Sequence, residues 1–290
     1  MIVKKLLIKN TKIPLLDKEI LLAYVIKKSR EFLFANPEFE INFWQKIKFE
    51  KLIKQRQKNI SVAYLIKHKE FFGLDFFVNK NVLVPRPDTE IMVEQVLKEI
   101  QNSKFKIQNL LLIDIGTGSG CIPISVIKTL KQENMKTIAV DISKKALYIA
   151  KRNAQRHNVD IKFLHGNLLE PVIKILEHGF NKSNEFVQIV LTANLPYITE
   201  QQFQTEPSIQ QEPKLALVAD NEGLALYEEL LKQIVQLLSS FLFPHSSFLY
   251  FEIDPTQTEK IKILIKKYLP KANIEIKKDL SGLDRLVIIK

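Results

Sequence analysis

The chain has 290 residues, 46% of them hydrophobic and 26% charged, with a formal net charge of +11 and a single cysteine. That composition excludes a disordered, fibrous or disulfide-stapled protein, and no apolar run reaches the roughly eighteen residues of a membrane span. The length allows one large domain and a small one, and the charged first ten residues lack a signal-type apolar segment, so the cytoplasm is the expected compartment.

Residues 1 to 80 hold seventeen Lys or Arg against eight Asp or Glu. A basic front suits an anionic partner such as RNA, a ribosome or an RNA-bound factor. Coding bias gives the same excess, because Lys outnumbers Arg 37 to 6. From Lys4 to about Lys69 the apolar residues fall three and four apart, as in Ile20, Leu21, Tyr24, Val25 and again Phe43, Ile47, Leu52, Ile53, which predicts helices. Asp17 is the expected cap of a helix running through Arg30, and Asn36-Pro37 breaks the next one. No cluster of catalytic residue types occurs here, so a docking or lid module is expected, with Trp44 and the phenylalanines in its core.

Between Phe71 and Val84 short extended segments with Gly73 as turn material predict a hairpin. Pro85-Arg86-Pro87-Asp88-Thr89-Glu90 follows, and a helix should start with Asp88 or Thr89 as cap. Arg86, on a stiff loop, is a candidate contact for a substrate or a carboxylate; a surface ion pair is the plainer alternative. From Asn109 onward strand and helix patterns alternate, which argues a parallel sheet with helices on both faces. Strands are expected at 110–115, 137–140, 161–164, 186–193 and 248–253, helices at 121–131, 144–157, 224–238 and 255–268, and a closing antiparallel pair at 273–277 and 285–289.

Ligands of such sheets bind at the carboxyl ends of the strands. The first strand runs into Gly116-Thr117-Gly118-Ser119-Gly120, where missing side chains let backbone approach a ligand; the spacing is not that of the dinucleotide fingerprint. Asp141 ends the second strand and can accept from both hydroxyls of a ribose, and Asn167 after the third can meet an adenine edge. An adenosyl ligand without phosphates fits all three. The fourth strand ends in Asn194-Leu195-Pro196-Tyr197. The Asn194 oxygen and the Leu195 carbonyl can each accept one proton of a planar NH2 group, Pro196 holds the preceding residue extended, and Tyr197 offers a flat face. A proline turn closing a buried strand is the plain alternative. His68, His157, His165, His178 and His245 lack ligand spacing, so no metal is expected. Cys121 is read as a small buried residue.

Asp-Ile-Gly-Thr-Gly-Ser-Gly-Cys-Ile followed by Asn-Leu-Pro-Tyr-Ile resembles the class I S-adenosylmethionine methyltransferases that act on a planar nitrogen. Val82 to Glu90, Glu212-Pro213 with Ala216-Leu217, Glu222-Gly223-Leu224, Tyr227 and Asp279-Leu-Ser-Gly-Leu-Asp-Arg285 narrow it to the peptide-chain release factor glutamine N5-methyltransferases, the PrmC/HemK family, from about Tyr64 to the C-terminus. The resemblance implies an α/β protein: a class I methyltransferase with a Rossmann-like, seven-stranded, mostly parallel sheet, and a small N-terminal helical domain joined to it by a β-hairpin. The implied domains are 1–70 for docking, 71–85 as linker and 86–290 for methyl transfer. S-adenosyl-L-methionine would lie against Gly116, Thr117, Gly118, Ser119, Gly120, Asp141, Asn167, Leu168 and Asn194. The glutamine of a Gly-Gly-Gln motif would be gripped and methylated at Asn194, Leu195, Pro196 and Tyr197, with Arg86 on the substrate side.

The implied partners are class I release factors; no membrane partner and no direct nucleic-acid contact are expected, and the protein is expected to be a monomer. Two positions depart from the family pattern, which usually has Pro at Leu195 and Asp at Asn167. Asn-Leu-Pro-Tyr is also typical of rRNA adenine dimethyltransferases, so an adenine N6-methyltransferase on rRNA or DNA is the enzyme alternative. A non-catalytic relative docking on the translation machinery is the alternative of another class.

Overall fold

The computed structural model describes residues 1–9, 12–102, 110–131, 135–179, 188–239 and 247–290. Asn109, residues 186 and 187 of the expected fourth strand, and His245 lie outside them, as does the side chain of His178. The chain forms two compact units, one of Met1–His68 with Glu206–Gln211 and one of Lys69–Thr205 with Glu212–Lys290.

The first unit carries five helices, α1 (Val3–Leu7), α2 (Leu15–Ile26), α3 (Arg30–Ala35), α4 (Phe43–Arg56) and α5 (Val62–Ile66). Leu21, Leu22 and Val25 of α2 meet Leu33 of α3 and Phe49, Leu52 and Ile53 of α4 in its core. Asp17 does not cap α2. The helix begins two residues earlier, and the Asp17 carboxylate takes Arg56 Nε at 2.7 Å instead. Nor does α2 reach Arg30: Lys27 turns left-handed at φ 57°, and Ser29 restarts the helix by accepting from the Phe32 N–H at 3.3 Å. Trp44 is not core but 75% exposed, edge-on to Phe43. It lies five residues before Phe49, about 140° around the helix from the buried face.

The second unit opens with a hairpin of β1 (Lys69–Phe71) and β2 (Leu74–Phe76). Phe72 and Gly73 at its tip both have positive φ, the twist that two-residue hairpins favour. Residues 82–84 form no strand, because the Val84 N–H is taken by the Glu212 carboxylate at 3.0 Å rather than by a ladder. A 3-10 turn, Pro87–Thr89, leads into α6 (Glu90–Asn102), so the loop is coiled one turn earlier than an Asp88 or Thr89 cap implies.

The alternation then proceeds through β3 (Leu110–Ile115), α7 (Cys121–Leu130), β4 (Lys136–Asp141), α8 (Lys144–Arg156), β5 (Lys162–His165), α9 (Glu170–Gly179) and β6 (Gln188–Ala193). It continues with α10 (Glu200–Thr205), α11 (Ala225–Ser239), β7 (Phe248–Glu252), α12 (Thr258–Tyr268), β8 (Ile274–Lys278) and β9 (Asp284–Ile289). The sheet order is β5-β4-β3-β6-β7-β9-β8, parallel except for β9, which runs antiparallel to both neighbours. This is the seven-stranded, mostly parallel methyltransferase sheet that the motifs imply.

Helices α9 and α10 have no counterpart in the sequence expectations; α10 buries no residue and so leaves no apolar period. β3 is buried on both faces. Leu111, Ile113 and Ile115 face the side carrying Tyr227, Leu230 and Ile234 of α11, while Leu110 and Leu112 face Met92 and Val96 of α6 and Ile124 of α7. That is why its sequence is apolar at every position but Asp114 rather than an alternation.

Before α11 the backbone makes three successive left-handed residues, Asn221, Glu222 and Gly223, at φ 52°, 53° and 85°. Gln257 Nε2 clamps the turn, donating to the Glu222 carbonyl at 2.8 Å and to the Tyr197 carbonyl at 3.0 Å. A Cβ on Gly223 would fall on that Tyr197 carbonyl and on the Gln257 amide. Gly223→Ala is therefore expected to lower stability by about 2–4 kcal/mol, from left-handed strain and overpacking together. Chemical denaturation reads the loss, and an unchanged midpoint would contradict the clamp.

Candidate active site

The order of the sheet reverses between β3 and β6, and one cleft lies at their carboxyl ends, lined by Gly116 to Ser119, Asp141, Asn167, Leu168 and Asn194 among others. Helix crossovers leave in opposite directions there, so the two strand ends part and leave room. The glycine loop is pinned from below, with the N–H groups of Gly116 and Thr117 both donating to the Val140 carbonyl, at 2.9 and 3.0 Å. Gly118 stands at φ 55° with nothing nearer to a Cβ than the Gly116 carbonyl, at 3.9 Å, so bare backbone faces open space. Thr117 is buried, and its hydroxyl lies against the Asp114 carboxylate.

Asp141 does two things that the sequence shows only in part. Its Oδ2 accepts from the Gly118 N–H at 2.9 Å and its Oδ1 from the Ser143 N–H at 2.8 Å, so it holds the glycine loop as well as facing the cleft. Burial raises its carboxyl above the ordinary value, and those two N–H groups offset part of the rise. Each oxygen keeps a second lone pair for a ligand hydroxyl. Beneath the loop, Asp114 accepts from the Thr192 hydroxyl at 2.7 Å and is pushed up to about 7 by burial. Asn167 reaches the cleft rim while its amide donates to Glu170 at 3.4 Å, and Leu168 is turned into the wall by a left-handed φ of 47°.

Asn194, Leu195 and Pro196 line the opposite wall. The Asn194 side chain is half-buried, with its Nδ2 donating at 3.2 Å to Oγ1 of Thr89, a second residue of the cleft lining. Leu195 is buried, and its N–H donates to the Tyr227 hydroxyl at 3.3 Å. Its Cδ2 would stand 3.1 Å from a Cβ on Gly116. Tyr197 packs against the core and its hydroxyl donates to Glu252 Oε1 at 3.2 Å. Burial pushes that phenol upward and the adjacent Glu252 pushes it further.

Arg86 is brought to the cleft rim, where its guanidinium is taken by the buried Glu212 carboxylate. The pair ties residues 84–86 to the start of Pro213–Ala216. Cys121 sits at the helix start with its thiol pushed up to about 12 by burial, which leaves no thiolate for nucleophilic work. His157 and His165 bond the carbonyls of Asp75 and Ile142, at 2.8 and 3.0 Å. Among the described residues no group of His, Cys, Asp and Glu could hold a metal ion.

Sequence reasoning missed Glu252 and Asn153. Glu252 ends β7 as Asp141 ends β4, an acidic residue closing an apolar strand at the ligand edge, and that signal was available. Asn153, fully buried on α8, donates to the Ser119 carbonyl at 2.8 Å and pairs with the backbone of Phe77, so it fastens the glycine loop from behind. A single asparagine on a helix gives no such hint.

Residues 3–66 match a family described as the PrmC N-terminal domain, and residues 86–179 match one described as the methyltransferase small domain. The release factor glutamine methyltransferase of Bacillus anthracis is 34% identical over 271 residues, covering 93% of this chain and 90% of its own. That of Enterococcus faecalis is 38% identical over 227 residues, covering 78% and 74%. Among solved structures, the catalytic domain of hMettl16 in complex with the MAT2A 3′UTR hairpin 1 superposes with a TM-score of 0.58 at 14% identity, over 93% of this chain and 90% of that one. The likeness to it is one of fold.

Asp141→Ala leaves the Gly118 and Ser143 N–H groups without their partner and takes a carboxylate from the cleft lining. Calorimetry should show adenosyl-ligand affinity reduced by about 1.5–3 kcal/mol, with a lower melting temperature alongside. An unchanged dissociation constant would remove Asp141 from the ligand site.

Proposed function

We infer the reaction from one premise: this chain belongs to the family of release factor glutamine methyltransferases. It transfers a methyl group from S-adenosyl-L-methionine to the side-chain amide nitrogen of a release factor glutamine, which we take to be that of the Gly-Gly-Gln motif. The observation that carries the reading is the Asn194 amide, held by its nitrogen on Thr89 so that its oxygen is left for the cleft beside the bare glycine loop.

The residues present fit the cofactor. The open space over Gly118 and the spare lone pairs of Asp141 suit a polar nucleoside with no phosphates. We assign Gly116 to Gly120, Asp141, Asn167, Leu168 and Asn194 to its contacts. When bound, it supplies a methyl group made electrophilic by a neighbouring sulfonium.

The protein supplies position and polarity. Asn194 Oδ1 and the Leu195 carbonyl accept the two protons of the glutamine NH2, which turns its nitrogen toward the cleft and makes it a better nucleophile than in water. Pro196 holds the Leu195 carbonyl in place. We assign the Tyr197 ring, which stands outside the cleft lining, to the plane of the amide; its hydroxyl is fixed on Glu252. Arg86, braced by Glu212, borders the entry for the substrate. Fixing two reactants at near contact is worth about 7–11 kcal/mol at best, and the proton leaves after transfer, when the nitrogen is acidic, so no strong base is required.

We place the enzyme in the cytoplasm with the translation machinery, acting as a monomer on class I release factors and supporting termination, with no nucleic-acid contact required. Among the described residues no helix is long and apolar enough to cross a membrane.

Co-expression with a release factor, followed by mass spectrometry, should show one added methyl on the Gly-Gly-Gln peptide. Label passing from the cofactor into rRNA and not into the release factor would overturn the reading. Asn194→Ala should lower turnover by about two to three orders of magnitude, as loss of a transition-state hydrogen bond does, with cofactor binding largely kept. Parallel loss of both would mean that Asn194 serves the cofactor rather than the amide.

A further inference from the structure

Nothing within Asn-Leu-Pro-Tyr decides which end of the Asn194 amide faces the cleft. Turned over, it would present NH2 to an incoming NH2, and the acceptor would be lost. The neighbours decide it. Thr89 Oγ1 accepts from Asn194 Nδ2 at 3.2 Å, so its oxygen is engaged and its single proton is free to go elsewhere. The Glu252 carboxylate faces that hydroxyl. Oε1 of Glu252 takes the Tyr197 hydroxyl at 3.2 Å, and Oε2 is buried with no regular hydrogen bond, which leaves it as the oxygen open to the Thr89 proton.

An ionised carboxylate can only accept, so it draws the Thr89 proton and leaves the Thr89 oxygen for the NH2 of Asn194. A protonated carboxyl can donate to Thr89. The Thr89 proton is then released toward Asn194, and the amide can turn over.

We propose that Glu252 and Thr89 are positioning residues that set the polarity of the site: ionised Glu252 orients the Thr89 hydroxyl, which holds the Asn194 oxygen toward the methyl acceptor. The proposal rests on the glutamine-methylation reading and extends it: Glu252 lies outside the cleft lining, and Thr89 acts through the Asn194 amide.

Glu252 is pushed up to about 7 by burial, against the pull of Thr89, Arg285 and Tyr197. The charged and titratable groups around it are Arg285 on β9, Asp88 ahead of α6, Tyr197 after β6, Tyr227 on α11 and Cys121 on α7. Burial raises both phenols and the thiol, so all three stay uncharged near neutral pH, and it raises Glu252 into that range. Turnover should therefore fall as the medium is acidified through that range. Asp114 is raised to the same range, so the variant comparison, not the pH value, assigns the fall.

The test is single-turnover methylation of a release factor by wild type, Thr89→Val, Thr89→Ser and Glu252→Gln, from about pH 5.5 to 8.5, with cofactor affinity measured by calorimetry. The side-chain NH2 signals of Asn194 are followed by NMR across the same range. Thr89→Val should lose about a hundredfold in rate with cofactor affinity unchanged, and Thr89→Ser should recover most of it. Wild type should show the acid fall and a matching shift of the Asn194 signals, and Glu252→Gln neither. Thr89→Val turning over at the wild-type rate, or Glu252→Gln keeping both the acid fall and the Asn194 titration, would overturn the proposal. Should Glu252→Gln fail to fold, the Thr89 pair and the wild-type NMR titration decide. Should wild type leave the release factor unmethylated, the substrate assignment fails, while the Asn194 titration still tests the polarity relay.

Discussion

One buried hydroxyl fixes the turn on which the site is built. Tyr227, fully enclosed on α11, donates to the Glu252 carbonyl, lies 3.3 Å from the Ala193 carbonyl and accepts from the Leu195 N–H at 3.3 Å. It joins the carboxyl ends of β6 and β7 where the ladder between them stops at Ala193 and Phe251. Beyond that point the chain has no sheet partner, and a buried backbone group without one costs about 1–3 kcal/mol. The phenol supplies the missing bonds from one atom, so the chain can leave the sheet with its next carbonyl, that of Leu195, in a set direction. The second anchor comes three residues later, where Ile198 exchanges bonds with Leu217 and Ala219, at 2.9 and 3.0 Å. Between the two anchors Asn194 and Tyr197 have little freedom beyond their side-chain torsions.

The opposite wall is organised by the same economy of groups. Asp141 closes β4, captures the Gly118 N–H and caps its own turn through Ser143. Asn153 on α8 fastens the far end of the loop at Ser119. The loop is therefore held at both ends while its middle stays bare, which is the condition for close approach of a ligand to backbone. Two carboxyls that burial raises to about 7, Asp114 and Glu252, lie on either side of β6. Each is retained in the interior by a hydroxyl, that of Thr192 or of Tyr197. Their raised values mean that folding holds protons which the unfolded chain has released above its ordinary carboxylate range. They therefore reduce stability as pH climbs from about 4.5 toward 7. Buried acids of this kind gather where function requires them.

Much of this was legible from residue order, for reasons that can be named. The strands facing apolar layers on both sides read as mostly apolar runs, and β3 and β4 fall within a residue of where those runs place them. Glycines followed by a helix, and an acid ending the next strand, mark a ligand edge whatever the ligand. What could not be read was side-chain partnership across the fold. Arg86 and Glu212 stand 126 positions apart, and Asn194 and Thr89 stand 105 apart. No periodicity connects such pairs. Asp17 illustrates the opposite error: local rules make it a cap, but Arg56, brought close by α4, offers its carboxylate a charged partner. Trp44 shows that an aromatic in an apolar-looking window is not thereby inside.

The Leu195 side chain occupies the space over Gly116, near enough that a Cβ there would meet Cδ2 at 3.1 Å. The absence of a side chain at 116 thus makes room for protein as well as for a ligand. Positions 116 and 195, 79 residues apart by the numbering, are consequently one steric unit. A side chain added at 116 would have to displace the end of Leu195, so the two strand-end motifs share one volume.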